Sequence, residues 1–409
     1  MAETRASQYE PLFEPVTLPN GTTLANRWAL SPMITNSSSA EGEVSEEDVR
    51  YAKRRAGSAP IQITGAAYIE EYAQLFEYGF GSGDDALIPG LKRLASAMKQ
   101  DGAKAILQLT HAGRFARIAL KDFGLVYGPS EMHLNTPIPH TVYEMSPRKI
   151  RHVIRQYGEA TRRAIQAGFD GVEISNAQRL LPQQFFSTFS NQRHDEYGVD
   201  SLENRARFGV EVMKEVQRVV NDYAKDPKQF IIGFRGTPEE TRGNTIGYTA
   251  EEFNAYFDQL LEVADIQYYA SASWGHNIFA QKLRSGEHAG ELMNEVVHQH
   301  LAGRVVLMAT GGINSPEKAL DALQHADMVG MSTPFITEPD FVKKLATGQK
   351  DAIDLSLEGK DLDDLAIPAR AFKDIVQMMD YGESLPKSAR DRFRSEAKQS
   401  SVNYFKDYH

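Results

Sequence analysis

The sequence predicts an α/β chain closed into a (β/α)8 barrel, with a β-hairpin before it and a helical extension after it. Three observations carry that reading. Eight short apolar, β-branched runs alternate with longer amphipathic ones through most of the 409 residues. Strands separated by helices imply right-handed parallel crossovers, and eight such units are the number that closes a TIM barrel. The rival, an open doubly wound sheet, usually carries Gly-x-Gly-x-x-Gly after its first strand. Here the first run leads into Ser31-Pro32-Met33-Ile34, which has no glycine.

The elements follow in order. Val16 to Leu24 reads as a hairpin around Asn20-Gly21, placed to plug the bottom of the barrel. The strands begin at Arg27-Trp28-Ala29-Leu30, Ile61-Gln62-Ile63-Thr64, Ala105-Ile106-Leu107-Gln108-Leu109 and Gly171-Val172-Glu173-Ile174. The second half supplies Phe230 to Phe234, Asp265 to Tyr269, Val305 to Met308 and Asp327 to Gly330. Between them, Ser146-Pro147 opens a helix whose apolar residues recur from Ile150 to Ala164 before Gly168 ends it. Thr249 with Glu252 makes a capping box ahead of Phe253, Phe257, Leu260 and Leu261, and Ser315-Pro316 opens another helix. The alternation stops near Gly348, so residues 1–347 are assigned to the barrel and 348–409 to a helical extension packed on the barrel or on a neighbouring subunit.

Composition removes several function classes. Hydrophobic and charged fractions of 41% and 24% are those of an ordinary globular chain, and the net charge of −10 argues against nucleic acid or an anionic membrane as partner. With no cysteine, disulfides and thiolate catalysis are excluded, and no metal site is expected. The polar N-terminus and the lack of a long apolar run indicate neither signal peptide nor membrane span, which makes the cytoplasm the default. The charged tail offers contacts for a homo-oligomer.

Barrel chemistry sits at the C-terminal ends of the strands, with phosphate often beyond strands seven and eight. Gly311-Gly312 after strand seven suits a phosphate approached by backbone N–H groups, and equally a tight turn. Arg235 ends strand five, where a buried guanidinium needs an anionic or carbonyl partner; a neighbouring carboxylate would also serve. Gln108, near the end of strand three, is either a ligand contact or a satisfied core amide.

Taken together the segments resemble the Old Yellow Enzyme family of FMN-dependent NAD(P)H oxidoreductases. The likeness is collinear from about Leu12 to Leu345 and includes Leu12-Phe13-Glu14-Pro15, Ser31-Pro32-Met33, Gln108 to Arg114, Gly128-Pro129-Ser130, Ala167 to Ile174, Asn191-Gln192-Arg193, Ser201 to Phe208 and Gly311-Gly312-Ile313. The resemblance implies that Ser31, Pro32, Met33, Ile34 and Ala66 line the flavin ring. Gln108 would bond its pyrimidine edge, and Arg235 would lie near its N1–C2 carbonyl edge. Gly311, Gly312, Ser332 and Thr333 would take the phosphate. Tyr68, Ser175, Gln178 and Trp274 would face the substrates, with Ser175 and Gln178 orienting nicotinamide and acceptor. NADH or NADPH would be the reductant and a small molecule the acceptor.

Four departures fall on the chemistry. Ser175 and Gln178 stand where the family has its His and His-or-Asn pair, and Leu180 stands at the usual proton-donating Tyr. Tyr68, Tyr72, Tyr78, Tyr269 and His276 are candidate replacements for that donor. Ile34 occupies a usual Thr or Cys position, with Thr35 adjacent and available through a register shift. Met331-Ser332-Thr333-Pro334 replaces a Gly-Arg phosphate site, so weaker FMN retention is expected. Loss of a positioned acid costs on the order of 10²- to 10⁴-fold in the protonation step, so enone reduction should be slow while the nicotinamide half-reaction survives. Three readings remain: an FMN-dependent oxidoreductase with a non-standard acceptor, a flavin- or ligand-binding barrel whose catalysis has decayed, and a barrel enzyme of another type that binds a sugar or nucleotide phosphate.

Overall fold

The structure describes residues 7–135, 139–368, 371, 379 and 383–396. In this computed structural model the eight runs become eight parallel strands: β1 (Trp28–Leu30), β2 (Ile61–Ile63), β3 (Lys104–Thr110), β4 (Gly171–Asn176), β5 (Ile231–Gly236), β6 (Ile266–Ser271), β7 (Val306–Thr310) and β8 (Met328–Met331). Each pairs with the next, and β8 returns to β1 with Val329 opposite Trp28, so the sheet is a closed barrel. The alternation of side chains is sharp. On β4, Val172 and Ile174 pack outward into the helix layer, while Glu173 points inward.

The hairpin is present as Val16–Thr17 paired with Thr23–Leu24, turning through Gly21 at φ +87°. Its Val16, Leu18 and Leu24 share one apolar cluster with Ile61, Ile63, Ile106, Ile231, Val306, Met308 and Met328 from inside the barrel. The lower half of the cylinder is therefore plugged. The three helices with sequence start signals appear as Pro147–Ala167, Ala250–Leu261 and Pro316–Ala322, and the Thr249–Glu252 capping box is formed.

Two excursions were not anticipated. A three-stranded sheet (Val126–Gly128, Met132–Leu134, His140–Glu144) follows β3, and a hairpin (Glu240–Arg242, Thr245–Tyr248) follows β5. Of the extension expected to be helical, the stretch from Gly348 to Pro368 runs as turns with a single helical turn, Lys350–Ala352; Met379 and Lys387–Glu396 are helical, and the rest lies outside the described residues. It packs on this chain's own barrel: Leu357, Leu365, Met379, Leu385 and Phe393 cluster with Tyr51, Phe76 and Ile336, and with Met33 and Ile34 after β1.

Buried polar nodes hold the loops at the mouth. The Asp48 carboxylate accepts from Thr35 Oγ1 (2.9 Å), Ser38 Oγ (2.7 Å) and Ser45 N (2.9 Å), and from Ser37 Oγ. Thr35 is thus committed away from the cavity, and the register shift that would bring it to the flavin site does not occur. Arg55, fully buried, donates to the carbonyls of Phe335, Tyr51, Ile336 and Leu365, which joins the helix Glu46–Arg54, the segment after β8 and the extension. Glu70 accepts from His111 Nε2 (3.1 Å) and contacts His152 Nε2 (2.9 Å); Gly113 N–H donates to His111 Nδ1, which leaves the Nε2 proton for Glu70. This node locks the loop after Ala67–Tyr68 against the segment after β3.

Burial works to raise the Glu70 carboxyl, but His111, Lys149 and His152 hold it at about 2. A folded value below the unfolded one means the stabilisation is present above about pH 4.5 and is lost as pH falls toward 2. Glu70→Gln should therefore lower the unfolding free energy by about 3 kcal/mol at neutral pH, with the gap to wild type closing as pH falls through that window. Urea unfolding at several pH values checks it, and a gap that does not vary with pH would show that the node acts by packing alone.

Candidate active site

A cavity of about 1350 Å³ opens where β1, β3, β4, β5, β7 and β8 end; the residues expected to meet flavin, phosphate and substrates line it, whereas Thr35 and the candidate donors Tyr72, Tyr78, Tyr269 and His276 do not. Ser31, Pro32, Met33, Ile34 and Ala66 form one wall, Gln108 and Arg235 the floor, and Gly311, Gly312, Ser332 and Thr333 a far corner. Ser175, Gln178, Tyr68 and Trp274 face it from the sides. That is more room than the roughly 300–1,000 Å³ of an ordinary ligand pocket.

Beneath the floor lies a polar set inside the barrel that sequence reasoning missed. Gln108 Nε2 donates to Glu173 Oε1 (2.7 Å), and Tyr268 OH donates to Glu173 Oε2 (2.9 Å). Glu173 is wholly buried; burial raises its carboxyl, while the nearby Arg235 charge and these two donors oppose the rise. Because a carboxylate only accepts, it fixes Nε2 of Gln108 toward the barrel and leaves Oε1 for the cavity. Gly233 makes this possible, since a Cβ there would overlap the Tyr268 ring that crosses the barrel to Glu173. A charge flanked by Val172 and Ile174 in a buried strand was the signal available in the sequence.

Two buried polar atoms in the cavity wall, Arg235 Nη1 and Ser31 Oγ, have no hydrogen-bond partner among the described residues. Buried polar groups are normally satisfied, so these two mark where a bound group belongs. An acceptor at Gln108 Oε1 beside a donor cation at Arg235 matches the N–H and carbonyl sequence of a flavin pyrimidine edge. In the far corner Gly311 and Gly312 hold φ of +88° and +85°, and neither N–H is used by another described residue. Glycine is demanded there twice over, because a Cβ on either would also run into Asn277 or Ile278. No lysine or arginine occurs in 310–314 or 331–335; backbone N–H groups and the Ser332 and Thr333 hydroxyls line that corner, and Lys318 Nζ reaches Gly312 O (3.3 Å) from the following helix. The residues fit FMN.

The substrate side is shaped by strain. Gln178 and Arg179 follow β4 with φ of +55° and +65°, each non-glycine residue in this region costing about 1–3 kcal/mol. The turn is pinned by Gln178 N donating to Thr237 Oγ1 (3.2 Å) and Arg179 N to Gln183 Oε1 (2.7 Å). Leu180 lines the cavity beside Leu75 and Phe115. Among the candidate replacement donors, Tyr72 packs at a tilt against Phe123, Tyr269 donates to Gly236 O behind the barrel wall, and Tyr78 and His276 do not line the cavity. Tyr68 does, yet its hydroxyl end abuts Gly42 and Gly81, and burial pushes its phenol up to about 12. The outer wall adds Phe189, with the Arg242 guanidinium 3.5 Å over its ring and Arg242 Nη2 donating to Glu240 (2.8 Å).

The profile of the NADH:flavin oxidoreductase / NADH oxidase family matches residues 11–352. The chain is 56% identical over 389 residues to an uncharacterized oxidoreductase of Streptococcus pyogenes, covering 95% of this chain and 97% of that one. It is 32% identical to a probable NADH-dependent flavin oxidoreductase of Bacillus subtilis, across 90% and 96% of the two chains. Among solved structures, morphinone reductase in complex with tetrahydroNAD superposes with a TM-score of 0.66 at 26% identity, over 87% of this chain and 93% of that one.

The Gly233–Tyr268–Glu173 arrangement is open to test by stability. Tyr268→Phe should cost about 1–3 kcal/mol by leaving one Glu173 oxygen unsatisfied. Gly233→Ala should cost more, about 2–5 kcal/mol, because it overpacks the barrel and expels the phenol as well. Equal losses in the two variants, measured by urea unfolding, would mean that the steric relation is not what places the ring.

Proposed function

The chain belongs to the NADH:flavin oxidoreductase / NADH oxidase family, and from that premise we propose that it holds one FMN at the barrel mouth, takes hydride from NADH or NADPH and passes it to an electrophilic small molecule such as an activated alkene or a quinone. The observation that carries this reading is the floor of the cavity, lined by Gln108 and Arg235 above Glu173, where Arg235 Nη1 has no partner among the described residues.

When bound, FMN supplies a carrier that takes up two electrons in one encounter and releases them in another. Arg235, its guanidinium fixed near Glu173, would hold the pyrimidine edge and offset negative charge there. Gln108, its amide oriented by Glu173, would accept from the ring N–H. Gly311, Gly312, Ser332 and Thr333 receive the phosphate. Ser175 Oγ and the Gln178 amide orient the nicotinamide and then the acceptor, and because one cleft serves both, the kinetics are ping-pong. Leu180 lines the cleft and donates no proton. The chain therefore favours acceptors that need hydride alone, or that take their proton from solvent, over enones that need a proton at carbon.

That same leucine gives weight to a second reading, a flavin-binding barrel whose catalysis has decayed. Anaerobic mixing with NADH or NADPH separates the two: bound flavin should bleach, and a yellow protein that stays yellow supports decay. A colourless protein that rejects added FMN overturns both. Leu180→Tyr should raise reduction of a simple enone by at least about tenfold, toward the 10² or more that a positioned acid provides; no rise would refute the account of that position.

A further inference from the structure

The outer part of the cavity has a charge opposite to that of the chain. Beyond Arg235 it is lined by five arginines, Arg114, Arg117, Arg179, Arg242 and Arg284, against two carboxylates, Glu239 and Glu240, in a protein whose net charge is −10. No lysine lines it. Both carboxylates are already committed to the protein. Glu239 accepts from the backbone N–H of Arg284 (2.8 Å) and from Ser285 N and Oγ (3.2 and 2.9 Å). Glu240, 5% exposed, is held by Arg242 and by Gln183 Nε2 (3.3 Å).

Two of the guanidiniums, those of Arg242 and Arg284, are not used up in return. Arg242 spends Nε and Nη2 on one oxygen of Glu240, and its plane is fixed on Phe189; its Nη1 has no partner among the described residues. The exposed Arg284 guanidinium has none either, although the backbone of that residue is anchored to Glu239. A guanidinium held in plane by an aromatic face, on a side chain that lines the cavity and has one amino group left over, suits a planar or tetrahedral oxyanion better than a point charge. The cavity is also large enough for a ligand that extends past the flavin position.

Resting on the flavin-oxidoreductase reading above, we propose that Arg242 and Arg284 form an oxyanion subsite at the outer cleft, which binds a phosphate or carboxylate carried by a substrate of this enzyme. Two substrates could bring that group: the dinucleotide, through its diphosphate, or the acceptor, through a carboxylate. Arg114, Arg117 and Arg179 add positive potential around the subsite and raise the local concentration of either.

The test uses the FMN-loaded protein and Arg284→Gln and Arg242→Gln, read as flavin bleaching in an anaerobic stopped-flow instrument. The donors are NADH and 1-benzyl-1,4-dihydronicotinamide, which carries the same ring and no phosphate. Acrylate and its uncharged isostere acrylamide are then compared as competitors of the benzyl donor. Loss of a charge-assisted contact should weaken the oxyanion-bearing probe by about tenfold or more and leave its uncharged counterpart unchanged. Weakening confined to NADH assigns the subsite to the diphosphate, weakening confined to acrylate assigns it to the acceptor, and weakening of both assigns it to both. Equal behaviour of charged and uncharged probes in both variants overturns the proposal. Wild-type flavin that neither donor bleaches fails one step earlier, and overturns the oxidoreductase reading together with the subsite.

Discussion

Closing eight parallel strands leaves no exposed edge, but it drives alternate side chains into a cylinder that water does not share, and the rest of this molecule depends on how that interior is filled. The lower half is filled by hydrocarbon, including the hairpin residues Val16, Leu18 and Leu24. The upper half is polar. There Glu173, Gln108, Tyr268 and Arg235 must satisfy one another, since a buried charge or amide without partners is costly. They do so incompletely, leaving Gln108 Oε1 and Arg235 Nη1 toward the mouth. What the barrel leaves unsatisfied is its binding capacity.

Outside the cylinder the same logic recurs in three nodes. Asp48 gathers hydroxyls and an N–H from the loop that follows β1, Glu70 ties two loop segments through His111, and Arg55 gathers four carbonyls with no carboxylate among the described residues. Burial lowers Arg55 to about 10, still charged at neutral pH. Its bond to Leu365 O brings the extension over Met33 and Ile34, so the wall there is hydrocarbon on both sides. An isoleucine at that position is consistent with its surroundings, and Thr35, which has the hydroxyl, is held by Asp48 instead.

The departures from the family pattern are therefore not scattered. Gln108 and Arg235 keep the family pattern at the floor of the cavity, whereas Ile34 and Ser332-Thr333 depart from it along the wall and far corner, Ser175 and Gln178 replace the family's hydrogen-bonding pair, and Leu180 replaces its proton-donating Tyr. The backbone strain at Gln178 and Arg179 is kept all the same, pinned by Thr237 and Gln183. The turn thus keeps its strained geometry beside a leucine that cannot donate a proton.

The sequence alone determined the barrel, its plug, the order of its strands and the ring of residues at its mouth. The reason is that strand and helix periods are local, and the strand-end rule of barrels turns a list of eight segments into one site. Gln108, Arg235 and the Gly311-Gly312 pair were legible on that basis. Tertiary structure decided what lies opposite what. Tyr268 reaches Glu173 from 95 residues away, through space left by Gly233. Arg242 enters the cleft on a hairpin whose first strand is three residues long, too short to show a period. The extension docks through contacts that no repeat announces. Such pairings depend on barrel stagger and side-chain reach, which are properties of the closed sheet and of no single segment.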